Sequence, residues 1–341
     1  MSKNNLNNKT IMAITIKEIN ELRKKTQAGL MDCKKALTEA EGDMEAAMEI
    51  LRKKGQLVAA KRSDREAAEG CVLAKVNGNY GAMVALKCET DFVAKNEDFV
   101  ALANKIIDAI AAAKCKSMDE VNALTIDGEG IQAAITNRSG VTGEKMELDG
   151  FAYVEGEDVI AYNHMNQNFL CALVVLNKKG YDEAGKGVAM QVAAMSPVAL
   201  DEAGVSQEVK DHETKNAIEK AKQNQIAKAV ENALKKAGIN PAHVDSEEHI
   251  ESNTAKGWIT AEDAAKAREI KSTVAAEAEA KLNPQMIENI AKGMVNKFYK
   301  ENCLLDQAYI DDNKISVAQY LKNIDKDLTV TDFKRYTLRA E

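Results

Sequence analysis

Long apolar runs are missing from this chain. The longest, L-C-A-L-V-V-L at residues 170–176, is far too short to span a bilayer, so no membrane segment is expected. The amino end, M-S-K-N-N-L-N-N-K, is polar where a signal peptide is apolar, and residues 1–13 are expected as a disordered extension. The six cysteines, Cys33, Cys71, Cys88, Cys115, Cys171 and Cys303, include no C-x-x-C pair. They are expected as reduced, mostly buried thiols in a cytoplasmic or similarly reducing compartment. Positive charge is not in excess either: 46 Lys and Arg stand against 53 Asp and Glu, a net charge of -7. That balance argues against a nucleic-acid sheath, which draws on clustered cations, so no direct nucleic-acid contact is expected.

Catalytic patterns are equally scarce. There are four histidines, and His164 and His212 have no nucleophile pattern near them; no G-x-S-x-G occurs. His243 and His249 flank acidic residues but lack a Cys partner or a His at i+4, so a solvated helix tip is expected rather than a metal site. Residues 180–187, G-Y-D-E-A-G-K-G, nearly spell a phosphate-binding loop. Gly187 stands where a hydroxyl should hold Mg²⁺, and Asp182 and Glu183 would repel phosphate, so a plain strand-to-helix turn is expected. No catalytic residue, metal or cofactor is expected.

What is present is organised. Thr15 followed by Glu18 is a capping-box pattern, with Ile16, Ile19 and Leu22 at helical spacing behind it. Two further short helices, the last stopping at Gly55, complete a three-helix domain over 14–55; the charged stretch 56–69 reads as a linker. From Gly70 the period changes to two, and C-V-L-A-K-V-N, the turn N-G-N and G-A-M-V-A-L-K-C-E predict a β-hairpin. A helix carrying Phe99, Leu102, Ala103, Ile106 and Ile110 follows, within a first lobe at 70–150. The same order recurs 88 residues later, Val72 falling on Ile160 and Leu86 on Val174. This second lobe spans 151–206 with 283–310. Residues 207–282 are alanine-rich, charged and poor in aromatics. Stripes at Ile226, Val230, Ala233, Ala237 and at Ala267, Ile270, Val274, Ala278 predict an inserted helical arm of two antiparallel helices, a coiled coil. A C-terminal module at 311–341 carries a short helix, V-A-Q-Y-L-K, and a final strand, V-T-D-F-K-R-Y-T-L. The fold class is α+β, two related lobes with antiparallel sheets.

Two clusters stand out. Leu30 and Met31 lie beside Gly29 at the start of the second helix, as two core residues or as one buried and one exposed. Thr90, Asp91, Phe92 and Val93 put one of six phenylalanines into a polar turn. Phe92 is either tucked under the following helix or kept for something outside the fold. The second lobe reaches the same point with Lys179 and Gly180, so the fold itself does not demand Asp-Phe there.

Three motifs, K-E-I-N-E-L-R-K-K-T-Q-A-G-L-M-D-C-K-K-A-L, T-D-F-V-A-K-N, and C-L-L-D-Q followed by S-V-A-Q-Y-L, come in the order of a known family and cover nearly the whole chain. The chain resembles bacterial elongation factor Ts, the nucleotide-exchange factor for the translational GTPase EF-Tu. The resemblance implies a UBA-like amino-terminal domain, a two-lobed core, an inserted arm, and EF-Tu in its GDP-bound and nucleotide-free forms as partner. It implies that Thr90, Asp91, Phe92 and Val93 disturb the partner's Mg²⁺ site, and that Arg23, Leu30 and Met31 touch its nucleotide domain. Gln191 stands where the family often has His, which puts a second-lobe contact in doubt. A homodimer through the core or arm is left open, and the competing class is a UBA-like scaffold or adaptor that exchanges nothing.

Overall fold

The computed structural model describes residues 14–26, 28–166 and 168–339; the extension expected over residues 1–13 lies outside them. The chain divides into two compact units, one of residues up to 196 together with those from 318 onward, the other of residues 197–317.

The first unit begins with α1 (Ile16–Thr26), α2 (Leu30–Glu39) and α3 (Met44–Ala60). The expected capping box forms: the Glu18 N–H donates to Thr15 Oγ1 at 3.2 Å and the Thr15 N–H to Glu18 Oε2 at 2.7 Å. Ile19, Leu22, Cys33, Ala36, Leu37 and Ala47 close a small core. Then follow β1 (Glu69–Asn77), β2 (Tyr80–Cys88), α4 (Asp91–Ala94), α5 (Glu97–Ala113), α6 (Met118–Asn122), β3 (Thr125–Ile126), β4 (Glu129–Gly130), α7 (Ile131–Thr142), β5 (Met146–Glu155), β6 (Asp158–Asn163), β7 (Leu170–Leu176) and α8 (Asp182–Met195).

The second unit contains α9 (Gln207–Lys236), α10 (Glu247–Ala255), α11 (Ala261–Ala280), α12 (Pro284–Asn302), β8 (Ala308–Tyr309) and β9 (Asp312–Ser316). Both α11 and α12 pack on α9. Leu234, Ile239, Val244, Ile250, Ile259, Ala264 and Ala267 form the core at the turn between α9 and α11. Gly238, at φ +75°, takes the left-handed conformation that ends α9. The chain then passes through α13 (Val317–Ile324) to β10 (Val330–Thr337).

Helices with small antiparallel sheets make this the α+β class. β1-β2-β5 form one three-stranded sheet and β6-β7-β10 a second, so each hairpin gains a third strand on its second member. Helix α5 covers β1 and β2, and α8 covers β6 and β7. The opposite faces meet: Val72, Ala74, Met83 and Ala85 pack against Val159, Cys171, Leu173 and Val175. The Asn163 amide spans this junction, accepting from the Ala74 N–H at 2.9 Å and donating to the Ala74 carbonyl at 3.1 Å.

The repeat is real in pairing but out of phase by one residue in its first strand. Cys71 pairs with Leu86, and Ile160 pairs with Val174, so the counterpart of Ile160 is Cys71 rather than Val72. The second hairpin is one residue shorter between these pairs, and a one-residue slip exchanges the two faces of a strand. Val72 therefore faces the other sheet, while a Cβ on Gly185 of α8 would meet Ile160 Cδ1 at 2.6 Å, which puts Ile160 under its own helix.

Gly55 also differs from expectation, because α3 continues past it to Ala60. It lies at a close crossing instead: a Cβ placed on Gly140 of α7 would lie 2.2 Å from Gly55 Cα. Within five residues of the end of α3, the linker is tied down at Glu89. That carboxylate accepts from Arg62 Nη1 at 3.0 Å, Arg65 Nη1 at 3.0 Å and the Lys145 N–H at 2.6 Å. Burial pushes the Glu89 carboxyl up, but the Lys145 amide and the two guanidiniums outweigh it and hold it at about 2.

Two outcomes follow from these contacts. Gly140→Ala forces α3 and α7 apart and should lower stability by about 1–3 kcal/mol. Gly55→Ala, whose Cβ would sit at 3.4 Å from Gly140 Cα, should stay within about 1 kcal/mol of wild type. Thermal unfolding of the two variants checks the asymmetry. The Glu89 contribution is complete above the ordinary carboxylate value of about 4.3 and disappears as pH falls through about 2, since the folded value is the lower one. Urea midpoints measured from pH 5 to pH 2 should fall more steeply for wild type than for Glu89→Gln; equal slopes would remove this role from Glu89.

Candidate functional site

Where β2 and β5 stop pairing at Cys88 and Met146, side chains continue the exchange. Glu144 accepts the Glu89 N–H at 3.2 Å and the Thr90 N–H at 3.0 Å on Oε2, and the Thr90 hydroxyl at 2.6 Å on Oε1. Thr90 is then the N-cap of α4, accepting the Val93 N–H at 3.4 Å. Asn96 caps the next helix by accepting the Asp98 and Phe99 N–H groups. A single helical turn is thus held between two caps.

Within that turn the side chains divide. Val93 and Ala94 pack against the core beneath α5, whereas Phe92 is 84% exposed. The reading in which Phe92 is tucked under the helix is therefore excluded; Phe99, fully buried, occupies that place. Asp91 is half-buried, and the hydrogen bond from Lys95 Nζ at 2.6 Å holds its carboxyl below the usual range. The result is an aromatic ring standing out from a fixed backbone with an anionic neighbour.

On the three-helix domain, Leu30 is 46% and Met31 58% exposed, and Arg23 is exposed on α1. Neither Leu30 nor Met31 is core; Ala28, Cys33, Ala36 and Leu37 fill that role around them. Two adjacent exposed apolar side chains at a helix start, with no partner cluster of their own, suit an interface. Gln191, where a second-lobe contact was in doubt, is different: it is fully buried on α8.

The near-match to a phosphate loop is a packing feature. Gly185 and Gly187 are buried in α8, and Gly185 lets the helix approach Ile160 and Leu176, so the expected strand-to-helix turn is what forms. His249 Nδ1 pairs with Asp245, and the His243 ring lies 5.9 Å from the Trp258 ring. Among the described residues no group of three His, Cys, Asp or Glu side chains is placed to hold a metal ion, and no helix is long and apolar enough to cross a membrane. All six cysteines are buried and free; burial pushes the thiols of Cys71, Cys88 and Cys171 up to about 12, which makes them unreactive.

Sequence reasoning did not find Glu89 and Glu144. They lie far apart from their partners in the chain, and no local pattern marks them.

The family model described as "Elongation factor TS" matches residues 89–340. Proteins named "Elongation factor Ts" from Parabacteroides distasonis and Bacteroides thetaiotaomicron are each 62% identical over 330 residues, covering 97% of this chain and the whole of each relative. One from Porphyromonas gingivalis is 40% identical over 331 residues, with the same coverage. With the motifs and the coverage of these relatives in agreement, the chain belongs to the elongation factor Ts family.

Proposed function

We propose that this chain is the guanine-nucleotide exchange factor for EF-Tu in translation elongation, and that Phe92 is the wedge it uses. The observation that carries the reading is the 84% exposure of Phe92 on a turn whose other apolar residues are anchored in the core. An exposed aromatic on a rigid support loses little conformational entropy when a partner buries it.

A translational GTPase holds GDP through backbone donors, a lysine and an octahedral Mg²⁺ that tolerates little distortion. In this reading the turn Thr90, Asp91, Phe92 and Val93 lies beside that ion, with Asp91 and Phe92 making the intrusion, and Phe92 displaces the groups that orient it. The phosphates then lose charge compensation and GDP leaves. Arg23, Leu30 and Met31 hold the nucleotide domain at the same time, through what we read as a UBA-like domain formed by α1, α2 and α3. We read α9 and α11 as the antiparallel coiled-coil arm. The factor transforms no substrate: it acts in the cytoplasm by binding one state of its partner better than another. By linkage, GDP weakens factor binding by the same ratio by which the factor weakens GDP binding. The complex is therefore transient, and GTP completes the cycle.

Truncating an aromatic at the centre of an interface costs about 2–4 kcal/mol, and each 1.4 kcal/mol or so is about tenfold. Phe92→Ala should therefore slow factor-stimulated GDP release by about 30-fold or more while leaving thermal stability unchanged, since the ring is exposed. Stopped-flow release of a fluorescent GDP analogue reads the rate, and an unchanged rate for a folded variant would refute the wedge. Met31→Asp should weaken binding to nucleotide-free EF-Tu by about tenfold or more, as an unpaired charge in an apolar contact does. Titration calorimetry measures it, and wild-type affinity would exclude Met31 from the interface.

A further inference from the structure

The exposed ring is useful as a wedge only if the turn beneath it does not yield. That turn is one helical turn long, too short to be stable by its own hydrogen bonds. Its N-terminus is held from outside, by a residue 54 positions from Thr90. Resting on the exchange reading above, we infer that Glu144 is a positioning residue for exchange: its carboxylate clamps the start of α4, so that Phe92 meets the partner on a backbone that does not give way.

Three donors converge on one side chain. The Glu89 N–H, the Thr90 N–H and the Thr90 hydroxyl all reach Glu144 within 3.2 Å. Glu144 is fixed in turn. The Ser139 hydroxyl, on a 98% buried residue, donates to its carbonyl, and Gly143, at φ +74°, turns the chain out of α7 to bring it there. Lys145, the next residue, gives its N–H to Glu89. The ends of β2 and β5 therefore exchange carboxylates, each accepting a backbone N–H of the other segment. Hydrogen bonds to a charged acceptor are about twice as strong as neutral ones.

The same end of α7 meets the three-helix domain. Gly140 abuts Gly55 of α3, three residues before Gly143, and Arg62 and Arg65 beyond α3 bind the Glu89 that Lys145 also holds. Arg23, Leu30 and Met31 on one side and Phe92 on the other are thus referred to a single point in the first unit. Pushing on Phe92 is resisted there rather than absorbed by the loop.

A purely structural role would make Glu144 independent of Phe92, and a double-mutant cycle separates the two. Glu144→Gln keeps the size of the side chain and removes its charge. In the wild-type background it should slow EF-Tu-bound GDP release by about tenfold, the loss of a charge-assisted clamp; in a Phe92→Ala background it should slow release less than about twofold. Amide hydrogen exchange should show the Glu89 and Thr90 N–H groups losing protection in the variant, with the three-helix domain unaffected. Ser139→Ala, which loosens Glu144 without touching its carboxylate, is the second variant should Glu144→Gln unfold, and it should show the same dependence on Phe92. Equal slowing in both backgrounds, or a wild-type rate with protection lost, would overturn the clamp. If Phe92→Ala alone leaves release unchanged, it is the exchange wedge that fails, and the clamp falls with it; if Phe92→Ala slows release but Glu144→Gln does not, only the clamp fails.

Discussion

β2 and β7 each lose both faces to other elements. One face of β2 lies under α5 and the other against the second sheet; β7 has α8 on one side and the first sheet on the other. Every residue of β7 is buried, and all of β2 except Lys87. Strands so enclosed have to be apolar throughout, and they fix where everything around them goes. The hairpin partners, the third strands and the covering helices are all placed by the need to close those two strands off from water. At about 25 cal/mol per Å² of apolar surface removed from water, this layer is where the first unit gains its cohesion.

The turn proposed to carry the exchange wedge grows directly out of that constraint. Cys88 is the last residue of β2, and α4 begins three residues later. The proposed wedge is thus an outgrowth of one of the two enclosed strands of the unit, and Val93 and Ala94 return into the same core. Mounting a side chain on a short helical turn anchored to a buried strand keeps its backbone precise while leaving the side chain exposed. Polar side chains at the strand end supply what the ladder no longer can.

How much of this could be read from residues alone depended on the distance over which each feature is encoded. The first hairpin was legible because the Gly78 turn and alternation on both sides are local. The exposed Phe92 was legible as an oddity because its neighbours are polar, and resemblance then named a partner. The phase of the second hairpin was not legible, because one residue fewer between the paired positions changes nothing in composition yet exchanges the faces. β5 escaped notice because Gly150, at φ +62°, introduces a bulge opposite Met83 and Ala85. The face toward α5 therefore runs Met146, Leu148, Phe151, Tyr153, which breaks the period of two. Gly55 misled for a related reason: a glycine in a helix marks either an end or a close crossing, and only the partner helix 85 residues away, at Gly140, decides between them.

The second sheet is completed by β10, which pairs along the whole of β7, yet β10 is the last strand among the described residues and the entire second unit is made before it. During synthesis at about 5–20 residues per second, the edge of β7 waits roughly 8–30 s for its partner. For that time an apolar strand, L-C-A-L-V-V-L, offers a row of unpaired backbone groups to any neighbouring chain. Closure of the sheet therefore waits on the whole second unit, and a chain that stops short of residue 330 is left with an open, sticky edge rather than a slightly shorter protein.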